Sequence, residues 1–387
     1  MAAQRSLYQV PPPAGTARYP MHTSAYVGNA FPDFGRQVTA QSTPMHHDVE
    51  VQRFIDAIVQ YLLREVPEFR RLSELRTKGW HNPKGDRFFE KQRHTADHAD
   101  EKTAQHFYRM MTTIGHDMNR RTDGFQIKAT GSDPHCILDM CMAPGGFLAA
   151  ALTVNPEARA KGFSLPRREG GHDVRLPKSV NVSLKFLDIT LLAADMGRVE
   201  IPHDHPDAAN FLPRQFTPGE AFDLVLCDGQ VLRGHDRAAY RARREVSRLT
   251  LTQLALGLEH VKPGGTMIIL LHKLEAPDTV QLLYTFASFS SVQLFKHVRF
   301  HAKRSSFYLL ATNIRSNCLE AAMAVGEWKR LWDIATFGTD ETYHQARQQC
   351  SSQIHVILEE FGPTLARMGR PVWNIQANAL AKAPFLK

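Results

Sequence analysis

Hydrophobic residues recur every three or four positions in the first third of the chain. From Asp48 this spacing places apolar side chains on one face of an α-helix, and the Val66–Pro67 step should end or kink that helix. A second helical pattern runs from about Phe89 to Met118. Methionines on its apolar face are typical of a packed core rather than of a ligand site. Residues 48–130 are therefore predicted to form a helical segment.

From Cys136 the pattern changes to short apolar runs separated by helical stretches. The runs have four to six residues each and little polar interruption: 136–140, 162–165, 182–186, 222–227, 266–271 and 307–311. Strands that are buried on both faces have this appearance, and helices between them imply right-handed parallel crossovers. We expect an α/β fold with a mostly parallel central sheet and helices on both of its faces.

Composition divides the chain into four segments and limits the kind of protein. Residues 1–47 are rich in Pro, Ser, Thr and Gly and lack periodicity, so they are predicted to be a disordered leader. Residues 131–315 carry the α/β pattern, and residues 316–387 return to helical spacing. With 43% hydrophobic residues and no apolar run near 18 residues, the protein should be soluble and globular.

Charge and cysteine content indicate partners and compartment. The net charge of +8 favours an anionic partner such as nucleic acid, although it also serves solubility. The five cysteines lack the paired short spacings of a zinc site or a disulfide framework. We expect an intracellular protein of the cytoplasm or nucleus and no metal site. The prolines at positions 11–13 disfavour a mitochondrial targeting helix.

One strand-to-helix turn carries the clearest signal for a ligand. A buried strand ends in Asp139, and a Pro-Gly-Gly turn then opens a helix of small residues. Glycines at such a turn let backbone amides approach a ligand, and ligands of open α/β sheets bind at the carboxyl ends of the strands. The residues predicted to bind the ligand here are Asp139, Ala143, Pro144, Gly145, Gly146 and Phe147.

This segment resembles the first motif of the FtsJ-like ribose 2′-O-methyltransferases. The run Phe222–Gly229 is similar to the family's strand that ends in a catalytic aspartate, here Asp228. The turn at Pro263–Gly265 and the strand that leads to Lys273 are similar to the motif that carries the family's catalytic lysine. The tryptophan pair at 328 and 332, with residues 371–376, is similar to a fungal branch of the family.

The resemblance implies a class I (Rossmann-like) methyltransferase fold and S-adenosylmethionine as the cofactor. Asp228 and Lys273 would be catalytic, because a carboxylate can hold a lysine that acts as base or stabilises the alkoxide. Asp188 resembles the aspartate that reads the adenine amino group, and a helix N-cap is the alternative. Ser306 stands where the family has a glutamate, and the family's first catalytic lysine has no secure match.

The sequence leaves open which molecule accepts the methyl group. RNA is favoured by a run of arginines that could hold phosphates, with Tyr240 stacking on a base. The run comprises Arg233, Arg237, Arg241, Arg243 and Arg244, and Lys296, Arg299, Lys303 and Arg304 could extend it. A solvated helix face is the plain alternative for this run. For the whole chain, the rivals are a methyltransferase of a small-molecule hydroxyl and a catalytically silent descendant that binds RNA or protein.

Overall fold

A computed structural model describes residues 46–97, 99–128, 134–351 and 354–386. The leader predicted for residues 1–47 lies outside these ranges up to residue 45. Among the described residues, no helix has both the length and the apolar character that crossing a membrane requires.

A seven-stranded sheet forms the centre of the molecule. Its strands are β1 (Cys136–Asp139), β2 (Arg159–Ser164), β3 (Val182–Phe186), β4 (Phe222–Cys227), β5 (Val261–His272), β6 (Ser291–Phe295) and β7 (Ser306–Thr312). The spatial order is β3-β2-β1-β4-β5-β7-β6, in which β1 to β5 are parallel and β7 is antiparallel to both of its neighbours. This is the strand order of the class I methyltransferase fold, so the predicted fold class is confirmed.

The sheet differs from the sequence expectation at one edge. The strand β6 was not predicted, because its residues alternate between exposed and less exposed as those of an edge strand do. The strand β7 has the unbroken apolar pattern that we associated with parallel strands, yet it runs antiparallel. It lies between two neighbours and is buried on both faces, so its composition does not reveal its direction.

Helices precede, connect and follow the strands. They are α1 (His46–Glu65), α2 (Pro67–Trp80), α3 (Pro83–Asp97), α4 (Glu101–Thr122), α5 (Gly146–Val154), α6 (Glu245–His260), α7 (Pro277–Phe289), α8 (Leu319–Phe337), α9 (Asp340–Ser351) and α10 (Ile354–Ala381). The single helical pattern predicted from Phe89 to Met118 is split between α3 and α4. Asp100 starts a new helix there, because its side chain accepts a hydrogen bond from the Thr103 amide at 2.8 Å.

The hydrophobic core has one layer on each face of the sheet. One layer packs α4 and α5 against the sheet, and the other includes α6, α7, α8 and the helices from both ends of the chain. The two ends meet where α2 packs on α10, with the rings of Phe69 and Trp373 centred 5.2 Å apart. The terminal helices therefore belong to the same core as the sheet.

Candidate active site

A cavity of about 890 Å³ lies at the carboxyl ends of the parallel strands. Residues at or just after the ends of β1, β2, β3 and β4 line it: Pro144, Ser164, Asp188 and Asp228. The strand order reverses between β1 and β4, so the connections leave in opposite directions and a crevice remains between them. The cavity occupies the place that the sequence predicted for ligand binding.

The turn after β1 only partly faces this cavity. Ala143 and Pro144 line the cavity, whereas the other predicted turn residues do not: Gly145, Gly146 and Phe147. Gly145 has a left-handed φ of 98°, which favours glycine. A Cβ on Gly146 would lie 2.5 Å from the Tyr108 carbonyl oxygen of α4. Gly146 therefore permits the close packing of α4, and its approach to a ligand stays a prediction.

Two carboxyl groups come together at the ends of β1 and β4. Asp139 is 1% exposed and accepts a hydrogen bond from the Cys141 amide at 3.1 Å. Burial, together with repulsion from Asp228, raises the pKa of Asp139 well above its usual range. Asp139 is not among the residues that line the cavity. Burial also raises the pKa of Asp228 to about 7, so this carboxyl group can gain or lose a proton near neutral pH.

The structure does not bring Lys273 into the cavity. Lys273 follows the end of β5 with a left-handed φ of 48°, and its amide donates to the Ser305 carbonyl at 3.2 Å. The β5 residue that lines the cavity is Leu270. The predicted pairing of Asp228 with Lys273 in one site is therefore not observed among the described residues.

Asp188 takes part in a buried cluster of charged side chains. The Arg241 guanidinium lies 2.5 Å from the carboxylates of both Asp188 and Glu245. Burial alone would raise the pKa of Asp188, but Arg241 outweighs it and holds this pKa below its usual value. Asp188 also accepts a hydrogen bond from the Thr190 amide at 2.9 Å, which is the N-cap alternative noted from the sequence.

The rest of this cluster was missed by sequence reasoning. Arg248 pairs with Glu245 at 3.0 Å, and His235 lies 3.5 Å from Asp188. His235, Asp188 and Glu245 are close enough together to hold a metal ion, but Arg241 already binds both carboxylates. The helical spacing of Arg241, Glu245 and Arg248 was the available signal, since side chains three and four residues apart meet on a helix.

The arginine run is not the RNA surface that we predicted. Arg241 and Arg244 are 2% and 6% exposed, and Arg244 is paired with Asp340 and the Gly338 carbonyl. The Tyr240 hydroxyl donates to Asp207 at 2.8 Å. These side chains bind other residues inside the protein, so they are not available to bind a phosphate or to stack on a base. The remaining members are exposed or half-buried: Arg233, Arg237 and Arg243.

Positive charge reaches the cavity from a different part of the chain. Five cationic side chains from α3, α4 and the loop between β6 and β7 line it, and we call them the basic wall: Lys91, Lys102, Arg299, Lys303 and Arg304. Lys303 lies 5.7 Å from the centre of the Phe88 ring. Two of the cavity's acids, Asp188 and Glu245, are neutralised by Arg241. Among the charged side chains that line the cavity, cations therefore predominate.

Lys296 supports this wall without belonging to it. It is 4% exposed, and its ammonium donates to the carbonyls of Ser306, Arg304 and His301 at 2.6, 2.8 and 3.3 Å. Burial lowers the pKa of Lys296 to about 7. The predicted contribution of Lys296 to an RNA surface is not observed. Its buried ammonium instead binds backbone carbonyls of the loop between β6 and β7 and of the start of β7.

Comparisons with known proteins identify the kind of chain that carries this cavity. Residues 116–314, which include all seven strands, match the FtsJ-like methyltransferase family. No curated protein matches the chain.

Solved structures also resemble parts of the chain at low identity. A ribosomal RNA methyltransferase from Plasmodium falciparum is 14% identical with a TM-score of 0.33, over 51% of this chain and 93% of that one. An O-methyltransferase family protein from Burkholderia thailandensis is 14% identical with a TM-score of 0.30, over 67% and 72%. The N-methyltransferase NodS from Bradyrhizobium japonicum is 15% identical with a TM-score of 0.32, over 51% and 96%. Likenesses of this strength carry no argument about the acceptor.

Proposed function

The chain belongs to the FtsJ-like methyltransferase family, and from that premise we propose that it methylates RNA at a ribose 2′-hydroxyl. It is an S-adenosylmethionine-dependent methyltransferase of class I fold. The observation that carries the choice of RNA is the basic wall of the cavity that also holds Asp228.

The cofactor fits the part of the cavity at the ends of β1, β2 and β3. The cavity volume of about 890 Å³ lies within the range of small-molecule and cofactor sites. Ala143 and Pro144 give this part an apolar wall, and Ser164 and Asp188 supply polar groups at the ends of the next two strands. We assign S-adenosylmethionine to these four residues. Ser164 replaces the acidic residue that commonly holds ribose hydroxyls in nucleotide sites.

Asp228 is the group that would receive the acceptor's proton. When bound, S-adenosylmethionine supplies the methyl group: the acceptor oxygen forms the new C–O bond while the C–S bond breaks and its electron pair stays on sulfur. A general base works best when its pKa lies near the operating pH, and that of Asp228 is about 7. In our proposal Asp228 takes the hydroxyl proton and returns it to solvent after transfer.

The charge of the cavity favours an acceptor that carries phosphates. Each ribose 2′-hydroxyl of RNA is flanked by phosphate groups, and lysine and arginine side chains bind and position the backbone through them. Of the cavity's acids, Asp188 and Glu245 are paired internally, so the five cations of the basic wall outnumber Asp228. A neutral small-molecule hydroxyl would gain nothing from this excess.

Salt-dependent RNA binding tests the proposal. Replacing Arg299 and Lys303 by alanine should weaken binding of a fluorescent single-stranded oligoribonucleotide. It should also reduce the slope of log affinity against log salt by about 0.7 for each lost contact. The matched control replaces two exposed cations of the C-terminal segment, Arg367 and Lys382, by alanine. An unchanged slope in the Arg299 and Lys303 variant would contradict the RNA proposal and favour a small-molecule acceptor.

A further inference from the structure

Tyr308 on β7 is a polar residue of the cavity that has no role in the proposed methyl transfer. The side chain lines the cavity and is 5% exposed. Its hydroxyl is among the few buried polar groups of the described chain that have no hydrogen-bond partner. An unpaired buried hydroxyl is costly, so one on a side chain that lines a ligand cavity points to a partner that arrives with the ligand.

Packing fixes the direction of the Tyr308 ring. The Phe147 ring meets it edge-on, with centroids 5.2 Å apart and planes at 79°. Phe125 packs behind Phe147 in the same manner at 6.0 Å. On the sheet, Tyr308 is paired with Leu270 of β5. The Tyr308 ring is therefore held at a defined place in the cavity wall by a rigid aromatic stack, which suits a group that positions a reactant.

Tyr308 and Asp228 occupy neighbouring positions in the wall of the cavity. Cys227 of β4 is paired with Ile269 of β5, so the next residues, Asp228 and Leu270, are also neighbours. Leu270 is in turn paired with Tyr308, and all three side chains line the cavity. Burial, and after it the charge of Asp228, raises the pKa of Tyr308 well above its usual range. Tyr308 thus remains a neutral donor close to the proposed base, with an apolar residue between them.

We propose that the Tyr308 hydroxyl donates a hydrogen bond to the acceptor's hydroxyl oxygen and holds that oxygen against Asp228. The inference rests on the proposed function. The acceptor oxygen gives its proton to Asp228, receives the Tyr308 hydrogen bond on one lone pair, and uses another lone pair to form the bond to the methyl carbon. Tyr308 keeps its own proton throughout. Fixing the oxygen in this way supplies orientation, which is a large part of the barrier to a displacement reaction.

The variant Tyr308→Phe removes only the hydroxyl oxygen and leaves the aromatic stack in place. Transfer of a labelled methyl group to total RNA should fall by about ten- to a hundredfold. Affinity for S-adenosylmethionine, measured by calorimetry, should stay within about twofold. The Tm of the protein without ligand should rise by about 2 to 4 °C, because an unsatisfied buried group is gone.

Tyr343→Phe is the matched control. Tyr343 is 7% exposed, lies outside the cavity, and has its hydroxyl 2.7 Å from the Ser247 hydroxyl. We expect this control to keep full transfer activity and to show no rise in Tm, because it loses a hydrogen bond that was made.

The outcomes separate the inference from the function on which it rests. Full activity of Tyr308→Phe beside an active wild type would overturn the role of Tyr308 and leave the proposed function intact. A large loss of donor affinity would also overturn it, because the hydroxyl would then bind the methyl donor. A lowered Tm would show that the hydroxyl has a structural partner. A wild type that transfers no methyl group to RNA would overturn the proposed function and this inference together.

Discussion

Replacing Arg241 by methionine should destabilise the protein far more than a typical surface substitution does. The Arg241 side chain is 3% exposed and lies 2.5 Å from the carboxylates of both Asp188 and Glu245. Removing one partner of a buried ion pair costs about 3–5 kcal/mol. Arg248 still pairs with Glu245 in the variant, at 3.0 Å, so we expect a loss of about 3 kcal/mol in the free energy of unfolding.

The pH dependence of this loss identifies its cause. Arg241 holds the pKa of Asp188 below its usual value of 3.8, so in the wild type Asp188 stabilises the fold above that value, and the contribution disappears as pH falls through the lowered pKa. Without Arg241, burial would raise the pKa of Asp188, and protonation would then relieve the penalty. The difference between variant and wild type should therefore shrink as pH falls from neutral towards the usual Asp188 pKa of 3.8.

Urea unfolding followed by circular dichroism measures both effects. The control is Arg243→Met, which removes an exposed arginine two positions away and should change stability by no more than about 0.5 kcal/mol. Equal stability of the two variants, or a loss that does not depend on pH, would refute the structural role of Arg241. Either result would also favour the earlier prediction that the arginine run is an exposed surface that binds phosphates.

Two further predictions concern the proposed base and the turn after β1. Methyl transfer should rise about tenfold per pH unit up to about pH 7 and level off above it, because Asp228 must be ionised to accept a proton; a flat profile from about pH 5 to about pH 8 would exclude this base. Gly146→Ala should lower the free energy of unfolding by about 1–3 kcal/mol, because its Cβ would lie 2.5 Å from the Tyr108 carbonyl oxygen. The control Gly326→Ala, where a Cβ on α8 meets nothing within 4 Å, should stabilise the protein by about 0.5–1 kcal/mol, and similar denaturation curves for the two variants would contradict the packing role.

The sequence predicted those features that depend on local pattern and on topology. Unbroken apolar runs identified six of the seven strands. The edge strand β6 was not identified, because its residues alternate between exposed and less exposed. Parallel strands place their carboxyl ends at one edge of a sheet, so Asp188, Asp228 and the turn at Ala143 were expected near one another. The cavity lined by these residues has that origin.

Features that depend on distant partners could not be predicted in this way. Whether Arg241 is exposed depends on Asp188, which lies on another element and 53 positions away in the chain. The place of Lys273 depends on where β5 ends and on a single left-handed residue. Tyr308 lies inside an apolar run, and its unpaired hydroxyl becomes apparent only when the neighbouring side chains are placed.

The most direct test compares the rates at which wild type, Asp228→Asn and Lys273→Met transfer a labelled methyl group to total RNA. We expect transfer by the wild type and a loss of about a hundredfold or more in Asp228→Asn, which keeps the shape of the side chain but cannot accept the proton. Lys273→Met should stay within about threefold of the wild type, since Lys273 lies outside the cavity. A wild-type rate in Asp228→Asn, or the absence of any transfer to RNA by the wild type, would contradict the assignment of this cavity to RNA methylation.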